Sequence, residues 1–144
     1  MNLFGMLEVS GSALAAERWR AEVISANMAN AETTRTPQGG AYRRQLVVFR
    51  ARSAPRFPLL LAKLRQPAQE GVSVDQVVAD STPLPRRFEP GHPDADKEGY
   101  VSFPNIDYMT EFVNAMDASR AYQANLVAID MAKQIDNLSL KILA

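Results

Sequence analysis

Apolar residues recur at helical spacing over two long stretches, one near each end of the chain, and the stretch between them breaks the pattern. Leu7, Leu14, Ala21 and Met28 fall seven residues apart, with Leu3, Ile24 and Ala31 in the adjacent row. Met6, Val9, Ala13, Ala16 and Val23 widen this stripe. Heptad spacing of this kind predicts a helix over residues 3–31, about 40 Å long, with Gly11 as its weakest point. Alanines along it leave room for close approach of a second helix.

The second stretch runs from residue 105 to 143 without Pro or Gly. Val113, Ala124, Val127, Met131, Ile135, Leu138 and Ile142 form its stripe, joined by Met109, Phe112 and Met116. Asn105 or Asp107 supplies the N-cap. A helix of roughly 35–39 residues would reach nearly 60 Å, and one so long in so short a chain implies a coiled coil. Its methionines, with Met6 and Met28, fit the role of adaptable seam filler.

The middle reads differently. Thr36-Pro37-Gln38-Gly39-Gly40 stops the first helix. Tyr42–Phe49 and Gly71–Ala79 have the β-branched and aromatic content of strands, and Gly99–Phe103 a third, shorter one. Residues 51–70 read as an irregular loop with one short helical turn at Leu59–Leu64, and Pro83, Pro85, Pro90 and Pro93 mark an extended segment. The expected fold is therefore mainly α. Long N- and C-terminal helices pack as a coiled coil, with a small β-rich or irregular central segment. The divisions fall at 1–34, 35–104 and 105–144, together forming one domain.

Length and composition narrow the function. At 144 residues the chain suits a single domain with a modest core. Sixteen Lys and Arg balance sixteen Asp and Glu, a poor electrostatic basis for binding nucleic acid or an anionic membrane. Cysteine is absent, which removes disulfides, thiolate metal sites and a Cys nucleophile. No apolar run approaches the roughly 20 residues of a membrane span. The start, Met-Asn-Leu-Phe-Gly, has neither a basic n-region nor a continuous apolar h-region, so no cleavable signal peptide is expected.

Candidate chemistry is thin. Asp94, Asp96, Glu98 and Gly99 match positions 1, 3, 5 and 6 of a calcium loop, but Asn105 stands where a bidentate Glu is needed and Pro90 and Pro93 replace the incoming helix. A solvated acidic turn or a subunit contact fits better. His92 is the only histidine, and neither Ser81 nor Ser102 sits in a nucleophile elbow. Gly39-Gly40 lacks the Lys and helix of a phosphate loop. Arg43, Arg44, Arg50, Arg52, Arg56, Lys63 and Arg65 make a basic region that reads as a solvated or salt-bridging face, with the 94–98 block of a neighbouring copy as its natural complement. No catalytic residue, cofactor or metal is expected.

Several stretches carry a resemblance. The run SGSALAAERWRAEVISANMANAETTRT contains an Asn-x-x-Asn pair, Asn27 and Asn30. With GGAYRRQ (39–45), PGHPDADKEGYV (90–101) and FPNIDYMTEFVNAMDASRAYQANL (103–126), it resembles the axial rod–hook proteins of the bacterial flagellum, and among them the proximal rod proteins of the basal body. Ala26, Met28, Glu32 and Ala41 depart from that pattern, as do Trp19 and Arg20, without breaking the apolar stripe.

The resemblance implies a non-enzymatic structural subunit of the periplasmic rod. Such subunits polymerise into a hollow helical drive shaft that transmits torque and conducts later subunits. Its partners would be copies of itself, other rod proteins and the flagellar type III export apparatus. On this reading the subunit interface comprises Leu7, Leu14, Ala21, Ile24, Asn27, Met28 and Asn30 on the first helix. On the second it comprises Val113, Met116, Val127, Met131, Ile135, Leu138 and Ile142. The amides of Asn27 and Asn30 would fix the turn after the helix and bond to a neighbouring subunit. The family-motif loop is Pro90, Gly91, His92, Pro93, Asp94, Asp96, Gly99 and Tyr100. A coiled-coil adaptor or secretion chaperone that does not polymerise is the alternative from another class.

Overall fold

A computed structural model describes the backbone of residues 3–52 and 71–143 and the side chains of 5–52 and 71–141. The expectations placed on residues 53–70 and on the side chains of Leu3 and Ile142 lie outside these described residues. Six elements follow in order: α1 (Leu3–Ala29), β1 (Gln45–Arg52), β2 (Gly71–Ala79), β3 (Arg86–Phe88), β4 (Tyr100–Ser102) and α2 (Tyr108–Leu143). β1 pairs with β2, and β3 with β4, as separate two-stranded sheets. The chain forms two compact units that both draw on both helices.

One unit comprises Met1–Trp19, Val48–Gln76 and Ala118–Ala144. Its section of α1 buries Ala16, and its section of α2 buries Ala118 and Ala132. Ser12 fastens the strand to the helix. Its hydroxyl donates to the Val9 carbonyl (2.7 Å) and accepts the Val72 N–H (3.0 Å). Gly71 makes this approach possible, because a Cβ there would run into Ser12 Oγ and stand 3.1 Å from Ser12 Cβ. Between β1 and β2, Ser73 donates to the Arg50 carbonyl (3.4 Å) and Arg50 pairs with Asp75 at 2.8 Å.

The other unit comprises Arg20–Val47 and Val77–Asp117. Its core holds Ile24, Ala31 and Val101, with two polar side chains, Asn27 and Glu111, buried among them. β3 and β4 run antiparallel, with Arg87 opposite Val101 and Phe88 opposite Tyr100. The Phe88 and Tyr100 rings meet edge-on at 5.4 Å. Local chemistry sets the helix ends. At the end of α1 the Asn30 N–H is shared between the carbonyls of Ala26 and Asn27, and the Asn30 side chain donates to the Ala26 carbonyl (2.9 Å). Asp107 caps α2, accepting the Thr110 N–H (3.1 Å) and hydroxyl (2.6 Å). These bonds hold its carboxyl below the usual range. Asn105, the other cap candidate, instead accepts the Arg44 N–H at 3.2 Å.

Two expectations need correction. The first strand starts at Gln45, not Tyr42, because the Tyr42 N–H is already committed to the Thr33 carbonyl (3.0 Å). The segment read as merely extended contains β3, three residues long and hidden from pattern reading by two arginines and the flanking Pro85.

Gly71→Ala is expected to loosen the attachment of β2 to α1. Ser12→Ala removes the same bond at a cost of about 1 kcal/mol. Faster amide exchange at Val72 in both variants, with Gly99 and Tyr100 unchanged, is the check.

Candidate functional site

Asn27 lies on the last turn of α1, with only 1% of its surface exposed. A carboxamide offers two donors and one bifurcated acceptor, and burial demands that they be used. Nδ2 donates to the Gln45 carbonyl (2.9 Å) and to Glu111 Oε2 (3.1 Å). Oδ1 accepts the Gln45 N–H (2.9 Å) and the Tyr42 hydroxyl (3.1 Å). The amide thus reads both backbone groups of Gln45 as a neighbouring strand would. It also joins the end of α1 to the first turn of α2.

Glu111 is the second member, likewise 1% exposed. Its Oε1 accepts two charge-assisted bonds from Arg44, from Nε at 2.8 Å and from Nη2 at 2.5 Å. A buried carboxylate is tolerated here because both oxygens are bonded and a guanidinium compensates the charge. Tyr42 responds to this setting. Burial, and then the Glu111 charge, raise its phenol above the usual value of 10.0.

The loop joining β3 to β4 is the second feature. Asp96 Oδ1 accepts the N–H groups of Glu98 and Tyr100, both at 2.9 Å. These bonds, the Tyr100 N–H foremost, lower its carboxyl. Gly99 is buried in left-handed conformation (φ 83°), where a Cβ would stand 2.9 Å from the Phe88 ring. His92 Nδ1 accepts the Asp94 N–H (3.1 Å), and its ring lies edge-on to Phe103. Asp94 reaches out of the loop, taking the Thr34 hydroxyl at 2.8 Å and facing Arg35 at 3.6 Å. The PGHPDADKEGYV loop is therefore bonded to the TTRT segment that follows Asn30. Among the described residues, no group of three His, Cys, Asp or Glu side chains converges on a metal position.

The expected interface residues divide unevenly. On α1, Ile24 and Asn27 are buried, Leu7, Leu14, Met28 and Asn30 half-buried, and Ala21 exposed. On α2 every expected residue with a described side chain is exposed: Val113, Met116, Val127, Met131, Ile135 and Leu138. The covered side of α2 is a different row, running from Glu111 through Ala118, Ala121, Asn125 and Ala128 to Ala132. It lies opposite the large residues on the helical wheel. Its alanine spacing was visible in the sequence; the burial of Glu111 was not. Several arginines of the basic region find partners within the chain. Arg44 holds Glu111, Arg50 holds Asp75, and Arg43 bonds the carbonyls of Asp80 (3.2 Å) and Thr82 (3.4 Å). Arg44 is thereby engaged within its own chain, not free to face another copy.

Known proteins are similar to this chain in sequence. The pattern of the family described as "Flagella basal body rod protein" matches residues 7–35, and that of "Flagellar basal body rod FlgEFG protein C-terminal" matches residues 97–142. The flagellar basal-body rod protein FlgC of Borreliella burgdorferi is 39% identical over 150 residues, covering 99% of both chains. The FlgC of Salmonella typhimurium is 39% identical over 135 residues, covering 94% of this chain and 93% of its own. That of Bacillus subtilis is 35% identical over 139 residues, covering 92% and 93%. The chain belongs to the FlgC family. As a FlgC-family protein it is a structural subunit of the flagellar basal-body rod. The two family patterns fall on α1 with its exit turn, and on the end of the 89–99 loop with α2. These segments meet through Asn27 and Glu111. No helix among the described residues is long and apolar enough to cross a membrane.

Glu111→Gln keeps the shape but removes the charge. It should cost about 3 kcal/mol, the low end for breaking a buried ion pair, because Arg44 keeps some water access. Urea unfolding followed by circular dichroism reads it. The Tyr42 phenol has a folded pKa above its unfolded one. Its contribution is therefore complete below pH 10 and is lost as pH rises through the raised value. Alkaline titration of stability should show that step in the parent protein and lack it in Tyr42→Phe.

Proposed function

We infer that the exposed face of α2 is the surface through which this rod subunit is built into the shaft. Met109, Val113, Met116, Val127, Met131, Ile135 and Leu138 lie along one side of the helix, and all are exposed. That is the observation supporting the reading. On each section of α2, a cluster of exposed apolar side chains marks an interaction surface. Its heptad spacing suits coiled-coil contacts with the terminal helices of other copies and other rod proteins. Ile142 continues the row by spacing. Leu7, Leu14 and Met28 supply half-buried apolar area on α1.

The clamp at Asn27 and Glu111 gives each copy a stiff junction between helix ends and loop. A subunit that transmits torque needs such a junction, and bond-breaking chemistry is no part of the proposal. Copies stacked helically would enclose the channel for later subunits. Delivery would be by the flagellar type III apparatus.

Val127→Asp places a charge on the exposed strip, where it disturbs the free chain little. Expressed in a strain lacking the gene, it should abolish rods and hooks in isolated basal bodies while the purified chain keeps its helical circular dichroism. Normal rods from Val127→Asp and Met131→Asp would overturn the proposal. A stable dimer at low concentration, with rods intact after deletion of the gene, would favour the adaptor reading.

A further inference from the structure

The exposed strip of α2 carries three of the chain's six methionines. Met109 is 72% exposed, Met131 58% and Met116 41%. All three lie on the side opposite Ala118. On α1, Met28 is half-buried. The exposed thioethers are open to oxidants in the free subunit, and they occupy the surface proposed above for assembly.

We propose that Met109 and Met131 are oxidation sites at which a peroxide converts the free subunit into an assembly-incompetent form, a proposal that rests on the reading of α2 as the assembly face. In the step, a thioether lone pair attacks one oxygen of hydrogen peroxide. The S–O bond forms as the O–O bond breaks, and the departing hydroxide combines with the proton released from the transferred oxygen to leave as water. Sulfur is oxidised by two electrons and the peroxide is reduced by two. The product sulfoxide is polar and chiral, and it prefers water to an apolar seam. Folding within the chain should hardly change, because the covered side of α2 is the alanine row. Assembly loses two apolar contacts at once. A methionine sulfoxide reductase restores the thioether, so the change is reversible.

The test has two arms. Purified chain and isolated hook–basal bodies receive the same dose of hydrogen peroxide, and sulfoxides are mapped by peptide mass spectrometry. Met109 and Met131 should oxidise faster than Met28 in the free chain and be protected in the basal bodies. In the second arm, a strain lacking the gene carries either Met109→Gln/Met131→Gln, a mimic of the polar sulfoxide, or Met109→Leu/Met131→Leu. The Gln pair should lower the number of rods by at least about ten-fold, since each lost apolar contact of this size weakens association by that order, and the Leu pair should leave it unchanged. Equal reactivity in free chain and basal bodies would overturn the assembly-face reading itself. Protection in basal bodies together with normal rods from the Gln pair would overturn the oxidation proposal alone.

Discussion

The carboxamide of Asn27, saturated by Gln45 on one side and Glu111 on the other, is the contact on which the surrounding unit depends. Three parts of the chain distant in sequence meet there: the end of α1, the entry to β1 and the first turn of α2. An apolar residue at this position would still fill space, but it would leave the Gln45 backbone groups and one buried Glu111 oxygen without their Asn27 partner. Hydrophobic burial here brings elements together; the amide decides their register. Glu111 adds a second constraint, because its charge needs Arg44, and Arg44 is positioned by its own N–H bond to Asn105.

The loop after β3 extends this fixed region. Asp96 closes the loop on itself, whereas Asp94 ties it to Thr34 and Arg35 beyond Asn30. The two most distinctive stretches of the sequence are thus one piece of structure. Asp94 and Asp96, which invite a metal reading in isolation, are occupied with a hydroxyl and with backbone amides. The loop's shape also depends on Gly99, whose backbone conformation and proximity to Phe88 leave no room for a side chain.

Both helices were legible in the sequence because their periodicity is long and free of breakers, and their ends were legible within a few residues. The faces were not. Ranking residues by size points to the Val, Met, Ile and Leu row of α2, yet the folded chain covers the alanines and leaves that row outside. Small residues allow backbones to approach closely, and pattern reading undervalues them because each one buries little area. Asn27 stood out as a register-setting amide, but nothing in its spacing named Gln45 and Tyr42 as partners. Glu111 gave no signal at all. A carboxylate in the first turn of a helix is ordinary, and only the fold brings Arg44 over it. β3 escaped notice because three residues among prolines carry too little pattern.

The double-sided character of α2 has a consequence for how such a chain changes over time. Its alanine row is limited by volume and answers to the chain's own folding. Its outer row, if it is the assembly face proposed above, is limited by neighbours instead. Because the two rows occupy opposite sides of one rod of backbone, a lineage can alter what it joins without weakening how it folds, and the converse. Divergence would then accumulate on the outer row in step with partner proteins, while the inner row stays small.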